Sequence, residues 1–218
     1  MLFFSGRSEL KDLLEVYDAE DVYNLDETGL FYRLGPNSTL ASGSIYGLKR
    51  SKERISIALC CNASGTDKQK SLVIGKFARP RCFGKTFDPK IYVDYTFNKK
   101  AWMTSSVFQD WLKQFDKSMR LQGKHVVLLV DNASSHTESG LLLTNTKLKF
   151  LPPNTTSHIQ PMDAGIIRNF KCHYKKLLCS HFLSCIEENR KQTIDMKCAL
   201  AFVKSAWDSV TTQTIVNC

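Results

Sequence analysis

Three aspartates in this chain each follow an apolar or loop-forming run. Asp26 ends the strand-like run in VYNLDETG, Asp131 follows HVVLLV, and Asp163 lies in HIQPMDAGI. Side chains at such positions face the crevice at the end of a sheet, where ligands bind. Carboxylates brought together repel one another unless a hard divalent cation holds them, and oxygen donors of this kind select Mg²⁺ or Mn²⁺. Because carboxylate-bound ion pairs serve in-line displacement at phosphorus, the sequence predicts metal-dependent phosphodiester chemistry.

Each aspartate also has a structural interpretation. Asp26 could cap a bend in the following ETG, Asp131 could be the N-cap of a helix near residue 134, and Asp163 could cap a helix near residue 164. The apolar run before Asp131 argues for a partner there, because an ionised side chain at the end of a buried strand costs several kcal/mol unless it is paired or metal-bound.

Four polar neighbours are predicted to support the site rather than to bind metal: Glu27, Asn132, His136 and Gln160. In a regular strand Glu27 points to the face opposite Asp26, which favours a structural or supporting role. His136 is predicted to orient the scissile phosphate or the Asp131 carboxylate, since the other proposed ligands are all oxygen; a purely structural histidine is the alternative. The glutamine is a candidate donor to the backbone of a bound strand.

Composition favours a single soluble domain with an anionic partner. The 218 residues carry 30 Lys and Arg against 21 Asp and Glu, a net charge of +9. Nucleic acid is the commonest partner of such a basic chain. No apolar run approaches the roughly 20 residues that span a bilayer, so no membrane is expected. The eight cysteines form no CxxC pair, which favours reduced thiols.

Two basic stretches flank the aspartates and are predicted to bind nucleic acid. They contain Lys49, Arg50, Lys52 and Arg54 in GLKRSKER, and Arg168, Lys171 and Lys175 after Asp163. The latter three lie at helical spacing on one face, where they could follow a phosphate backbone. A solvated charged surface is the alternative interpretation for both stretches.

The order of the elements predicts an α/β fold, an RNase H-like mixed sheet with flanking helices. The predicted elements are a helix over 8–18, a strand, turn and strand in VYNLDETGLFYRL, strands in ERISIALCCN, KSLVIGKF, HVVLLV and LKFL, and helices after Thr104, from Ala164 and over about 194–210. Segment 79–98 is predicted to be irregular. In such a fold the first strand is central and the HVVLLV strand pairs beside it, so that Asp26 and Asp131 become neighbours and Asp163 closes the site from above.

Six segments in order resemble the DDE endonuclease domain of pogo/Tigger transposases and of host proteins derived from them, such as centromere protein B and Jerky. They are NLDETGLFYRL, GLKRSKERISIALCCNASG, LVIGKFARPRCF, VDYTFNKKAWMT, LLVDNASSH and LPPNTTSHIQPMDAGIIRNFK. The resemblance covers about residues 8–180. It departs from the family at Met162 and Ala164, where members usually read close to QPLDQG.

The resemblance implies an RNase H-like core in which Asp26, Asp131 and Asp163 hold two divalent metals, Mg²⁺ or Mn²⁺. These would activate water and then a DNA 3′-hydroxyl for strand cleavage and transfer. We expect one domain over 1–218, with its core at about 8–180, a helical extension over about 181–218, and no helix-turn-helix region ahead of it. DNA is the expected partner, the nucleus the expected location, and a homodimer one candidate assembly. The alternative is a catalytically silent, transposase-derived protein that binds DNA or chromatin.

Overall fold

The central strand, β1 (Val22–Leu30), is buried on both faces and pairs with a neighbour on each side. The computed structural model describes residues 15–35, 52–152 and 160–218. β2 (Ile55–Asn62) runs antiparallel to β1, and β5 (Val126–Val130) runs parallel to it. The HVVLLV strand therefore lies beside the first strand, as the sequence predicts.

Within the described residues the sheet has six strands and is mixed. The others are β3 (Leu72–Gly75), β4 (Asp94–Phe97) and β6 (Thr146–Phe150), and the order is β4-β3-β2-β1-β5-β6. β3 is antiparallel to β2, whereas β4 is parallel to β3 and β6 is parallel to β5. The chain therefore reaches β5 by a long crossover from the far edge of the sheet.

Helices cover both faces of the sheet. The helices are α1 (Ser105–Leu121), α2 (Ile167–Glu187), α3 (Met196–Asp208) and α4 (Thr212–Val216), and a π-helical turn (Met162–Ile166) leads directly into α2. The Thr104 side chain accepts a hydrogen bond from Val107 N at 3.3 Å and caps α1, as predicted. Among the described residues, no helix combines the length and apolarity needed to cross a membrane.

Two apolar clusters hold the layers together. Tyr23 and Leu25 of β1 pack with α1 residues such as Phe108 and Leu112. On the opposite face, β2 residues pack with residues of α2 and α3. Because helices cover both faces, the central strands lack an exposed polar side, which explains the uninterrupted apolar run of β5. α3 belongs to this second cluster although it lies in the predicted C-terminal extension.

The predicted turn within VYNLDETGLFYRL is wrong. β1 continues through Thr28 and Gly29, which pair with Ile57 and Ser56 of β2. The ladder with β2 holds this glycine-containing segment extended, so tertiary pairing overrides local turn propensity. The interpretation of Asp26 as the cap of a bend is wrong with it.

Segment 79–98 is more ordered than predicted. It contains two 3₁₀ turns, Arg81–Phe83 and Pro89–Ile91, and then the edge strand β4. β4 fits because Gly75 of β3 lacks a side chain where the Tyr95 hydroxyl lies. Of the predicted helix over 8–18, residues 15–18 form a turn and bend, and the remainder lies outside the described residues.

Candidate active site

Asp26 lies on β1 where the parallel partner strand β5 ends. The pairing of β1 with β5 matches Tyr23 with Leu128 and Asn24 with Leu129. Continuing that register by two residues brings Asp131 level with Asp26. The Asp26 side chain is a carboxylate, yet the residue is only 8% exposed. The register therefore brings the two aspartates together at the carboxyl end of β5, where crevices form in such sheets.

Asp163 reaches the same end of the sheet from the π-helical turn. The turn is anchored by Asn24, a buried residue of β1: its Oδ1 accepts from Met162 N at 3.0 Å, and its Nδ2 donates to Leu129 O at 3.0 Å. One side chain thus joins β1, β5 and the residue before Asp163. Single π-helical turns at the start of helices are frequent at functional sites.

Asp26 and Asp163 interact through their negative charges. Burial, reinforced by the charge of Asp163, raises the pKa of Asp26 from its ordinary 3.8 to about 8. Glu27 and Asp131 add smaller contributions of the same sign. A carboxyl group is expensive to ionise in such a place unless a cation offsets the crowded charge.

On the α1 side of β1, His136 joins Glu27 to Asp131. Its Nδ1 lies 2.6 Å from Asp131 Oδ1 and its Nε2 lies 3.0 Å from Glu27 Oε1. Burial alone would lower the pKa of His136, but its hydrogen bonds to the two carboxylates raise it to about 10. The imidazole is therefore a cation at neutral pH, and it holds the pKa of Asp131 below its usual range.

Both nitrogens of His136 are engaged by carboxylates, so the ring orients Asp131 and Glu27 and has no nitrogen left for a metal. The ring also packs against Phe108 of α1, with centroids 4.7 Å apart. Asp131 uses a single oxygen, Oδ1, for both His136 and the backbone N–H of Ala133 at 3.2 Å. Oδ2 takes part in neither contact and is the oxygen available to a ligand.

The structural alternatives for two aspartates are wrong. No helix begins near residue 134; residues 131–140 form turns and irregular segments. Asp163 lies inside the π-helical turn, whose N-cap is Pro161 and has no side-chain capping hydrogen bond. Its carboxylate is exposed and is not used to cap the helix.

The other predicted supporting residues lie in different environments. Asn132 is exposed beside Asp131. Gln160 is 1% exposed, and neither its Oε1 nor its Nε2 has a hydrogen-bond partner among the described residues. Because Gln160 is buried, the prediction that it donates to a bound strand does not fit this arrangement.

Basic side chains of α2 lie beside Asp163. A shallow hollow of about 350 Å³ is lined by Asp163 together with Arg168, Lys171 and Lys175. Burial and the neighbouring charge of Lys175 lower the pKa of Lys171, while Asp163 and Asp26 oppose this. The basic face predicted for this helix thus adjoins the carboxylates.

The first basic stretch is described in part. Lys52 and Arg54 line a larger groove, whereas Lys49 and Arg50 lie outside the described residues. The Arg54 side chain lies over Gly29, because a Cβ atom there would be 2.7 Å from Arg54 Nε. Arg54 therefore lies three residues along β1 from Asp26.

The donor set fits Mg²⁺ or Mn²⁺ in chemical type. The candidate ligands are carboxylate oxygens, and burial together with the charge of Asp163 raises the pKa of Asp26, so that a bound cation would favour its ionised form. In the part of the chain that the structure describes, no three His, Cys, Asp or Glu side chains are gathered closely enough to hold an ion together. Asp26 lies within the electrostatic reach of Asp163, and Asp131 is paired with His136.

The sequence patterns do not predict the roles of two residues that position the aspartates, Asn24 and Glu27. Asn24 was not singled out, although a lone asparagine between apolar strand residues signals a buried hydrogen-bonding role. Glu27 faces away from Asp26, as predicted. Its ion pair with His136 joins residues 109 positions apart in the sequence, so no local pattern reveals it.

Comparison with known proteins identifies the family. Residues 52–218 match the family described as DDE superfamily endonuclease. The chain belongs to this family. The matched region of this DDE endonuclease domain contains Asp131 and Asp163, whereas Asp26 precedes it and joins them through the sheet register.

Curated relatives cover nearly the whole chain. It is 35% identical over 206 residues to Tigger transposable element-derived protein 4 of Mus musculus, covering 94% of this chain and 40% of that protein. It is 32% identical to CENP-B homolog protein 2 of Schizosaccharomyces pombe (92% and 41%) and 31% identical to major centromere autoantigen B of Homo sapiens (94% and 33%). The pogo/Tigger resemblance is confirmed, and the chain spans about two fifths of the length of the first two relatives.

Solved structures confirm the fold of the DDE domain. The chain in the crystal structure of the Mos1 strand transfer complex superposes with a TM-score of 0.56, covering 98% of this chain and 55% of that chain at 12% identity. At this identity the likeness concerns the fold alone. The predicted RNase H-like mixed sheet with flanking helices is thus confirmed.

Proposed function

We propose that the chain is the core of a metal-dependent DNA endonuclease and strand transferase, in which Asp26, Asp131 and Asp163 are the catalytic carboxylates. The observation that carries the proposal is the convergence of β1, β5 and the π-helical turn at one end of the sheet, each contributing one aspartate. Membership of the DDE endonuclease family supports the same chemistry.

The three carboxylates would hold two Mg²⁺ or Mn²⁺ ions, which supply Lewis-acid stabilisation of attacking and leaving oxygens at phosphorus. The remaining residues act on those carboxylates or on the substrate. His136, held by Glu27, fixes the direction of the Asp131 carboxylate and leaves Oδ2 available. Asn24 fixes the turn that carries Asp163.

DNA is the proposed substrate. Arg168, Lys171 and Lys175 next to Asp163 would contact phosphates of the bound DNA, and so would Lys52 and Arg54. Such contacts carry no base information, so cleavage by this chain alone should be nonspecific and sensitive to salt. The human relative, major centromere autoantigen B, is named for the centromere, which supports a nuclear location. A homodimer remains a prediction.

Nicking of supercoiled plasmid by the purified chain tests the proposal. We expect nicking in Mg²⁺ or Mn²⁺ and none in EDTA. Asp131→Asn should abolish it while the circular dichroism spectrum stays unchanged, because the substitution keeps the shape of the side chain and removes its charge. Asp110→Asn, at an exposed aspartate of α1, is the matched control and should nick normally. Nicking by Asp131→Asn at the wild-type rate would refute the assignment.

A catalytically silent DNA-binding protein is the second candidate. It is favoured by the finding that no three potential ligands are gathered at one point among the described residues. A thermal shift assay separates the two candidates. A rise in Tm with Mn²⁺ that is lost in Asp131→Asn supports the enzyme, whereas a shift with DNA and none with metal supports the binding protein.

A further inference from the structure

A large basic groove, separate from the α2 hollow, lies at the start of β2. It has a volume of about 1000 Å³ and is lined by the ends of β1 and β2, the segment after β3, and the loop before α1. Eight lysine and arginine side chains line it, against the two carboxylates of Glu53 and Asp195. The Glu53 carboxylate is already paired with Arg33 at 2.9 Å. The groove is therefore suited to a polyanion.

Two aromatic side chains project into solvent at or next to this groove: Phe77 lines it, and Trp102 directly follows the lining residues Lys100 and Ala101. Phe77, on the segment after β3, is 61% exposed, and Trp102, in the loop before α1, is 53% exposed. Lys76 lies over the Phe77 ring at 5.7 Å, and Arg54 and Lys100 lie over the Trp102 ring at 5.5 and 5.9 Å. Each ring thus carries positive charge beside it, where the phosphate next to a stacked base would lie.

The loop that carries Trp102 is held in one shape. Asn98 Oδ1 accepts from Lys100 N and Trp102 N, both at 3.2 Å, and Asn98 Nδ2 donates to Trp102 O at 2.6 Å. The residue between them, Ala101, has a φ of 52°, in the left-handed region that non-glycine residues rarely adopt.

Ala101 is kept in this conformation by its surroundings. It is 4% exposed, and its carbonyl accepts from Ser56 Oγ of β2 at 2.7 Å. Strained residues of this kind persist where the surrounding structure enforces them, and they cluster at ligand-binding positions. An exposed tryptophan presented by a strained, rigid loop loses little entropy on stacking, which favours a binding role over an incidental exposed ring.

We propose that this groove holds an unpaired stretch of DNA, with bases stacked on Trp102 and Phe77 and phosphates against Lys76, Lys100 and Arg54. Unpaired bases offer their faces to aromatic side chains, whereas the bases of a duplex are stacked on one another. The inference rests on the proposed function, since it names the form of DNA that lies beside the aspartates. Arg54 links the two regions, because it contacts both Trp102 and the backbone of β1 at Gly29.

Tryptophan fluorescence tests this directly, because the other two tryptophans, Trp111 and Trp207, are 9% and 4% exposed. The full chain is titrated in EDTA, where no cleavage occurs, with oligothymidylate, with the same strand in a duplex, and with inorganic polyphosphate. We expect quenching by the unpaired strand, weaker binding of the duplex, and no quenching by polyphosphate. Equal binding of duplex and single strand, or no quenching by oligothymidylate, would overturn the proposal.

Variants read by fluorescence anisotropy of labelled oligothymidylate separate stacking from charge. Trp102→Ala should weaken binding about tenfold, whereas Trp102→Phe should retain most of the affinity because it keeps a ring. Lys100→Ala should lower both affinity and the salt slope, and Lys117→Ala, at an exposed lysine of α1 outside the groove, should change neither. Phe77→Ala repeats the stacking test at a second exposed position. Wild-type affinity in both Trp102→Ala and Phe77→Ala would contradict the stacking role.

The DNA-binding tests and the nicking test can fail independently of each other. Binding in EDTA does not require the aspartates to hold metal, so a chain that binds unpaired DNA without nicking would keep this inference and lose the other. A chain that nicks plasmid but binds single strand and duplex alike would keep the proposed function and lose this inference.

Discussion

Asn24 of the central strand accepts a hydrogen bond from the backbone N–H of Met162, the residue immediately before Asp163, at 3.0 Å. The same side chain donates to Leu129, two residues before Asp131. The spacing of the three proposed catalytic aspartates therefore depends on one buried amide that is not itself a ligand.

The first prediction concerns this amide. Asn24→Ala leaves the Met162 N–H and the Leu129 carbonyl without their partner, so it should lower the free energy of unfolding by about 1–3 kcal/mol. Because Asp163 also loses its anchor, nicking should fall further than the loss of folded protein explains. Urea unfolding gives the first quantity, and nicking at a temperature where the variant is folded gives the second.

Asn145→Ala is the matched control for this prediction. The Asn145 side chain donates to Lys124 O at 2.8 Å, on a loop away from the aspartates. This variant should lose stability without a disproportionate loss of nicking. Equal nicking per folded molecule in the two variants would show that Asn24 stabilises the fold without positioning Asp163.

Much of this arrangement could be predicted from the sequence, because its signals are local. The run before Asp131 predicts a buried strand, and Thr104 with the apolar spacing after it predicts α1. The β1–β5 pairing follows from the element order of the fold. The His136–Glu27 and Asn24–Met162 contacts could not be predicted, because they join residues more than 100 positions apart in a way that depends on loop conformation. The turn predicted after Asp26 is wrong for the same reason: pairing with Ser56, 27 residues later, decides the conformation of Gly29.

The second prediction follows from the raised pKa of His136, about 10 in the folded chain against an ordinary 6.5. A group whose pKa is higher in the folded state contributes stability that is complete below the unfolded pKa and is lost as the pH rises through the folded pKa. Stability of the metal-free chain should therefore fall between about pH 6.5 and 10. In His136→Phe this part of the fall should disappear. Urea unfolding in EDTA across that range measures the difference between the two proteins, and parallel curves would contradict the charged imidazole.

The third prediction concerns Asp116, a buried carboxylate of α1 that accepts from Asn145 N at 2.9 Å and Thr144 N at 3.3 Å. Burial would raise its pKa, but these backbone donors and Thr146 lower it overall. The stability it contributes is therefore present above the unfolded pKa and is lost as the pH falls through the folded pKa. Asp116→Ala should lower the free energy of unfolding by about 1–3 kcal/mol at pH 7, since it removes the charged acceptor of the part-buried Thr144 and Asn145 N–H groups. Urea unfolding at pH 7 checks the value, and nicking per folded molecule should stay normal.

The fourth prediction concerns the basic face of α2. Replacing Arg168, Lys171 and Lys175 together by alanine should weaken DNA binding and flatten its salt dependence, with about 0.9 lost from the slope of log K against log salt for each phosphate contact removed. Lys176→Ala is the control, because Lys176 is exposed on the same helix and does not line the hollow beside Asp163. A triple variant with an unchanged salt slope would exclude this face from the DNA path.

The fifth prediction separates the catalytic use of Asp26 from its effect on stability. Its pKa is raised to about 8 in the folded chain from an ordinary 3.8, first by burial and then by the charge of Asp163. Folding therefore becomes less favourable as the pH rises from about 4 to 8, the reverse of a salt-bridged aspartate. Asp26→Asn removes this unfavourable buried charge. The substitution should raise the free energy of unfolding by about 1–2 kcal/mol at pH 8 and change it little at pH 4, and nicking should be lost.

Mn²⁺ should raise the Tm of the wild type at pH 8, because the cation offsets the charge of Asp26, and it should raise the Tm of Asp26→Asn by less. If Asp26→Asn is less stable than the wild type at pH 8, or if Mn²⁺ raises the Tm of both proteins equally, Asp26 is a structural carboxylate and not a metal ligand.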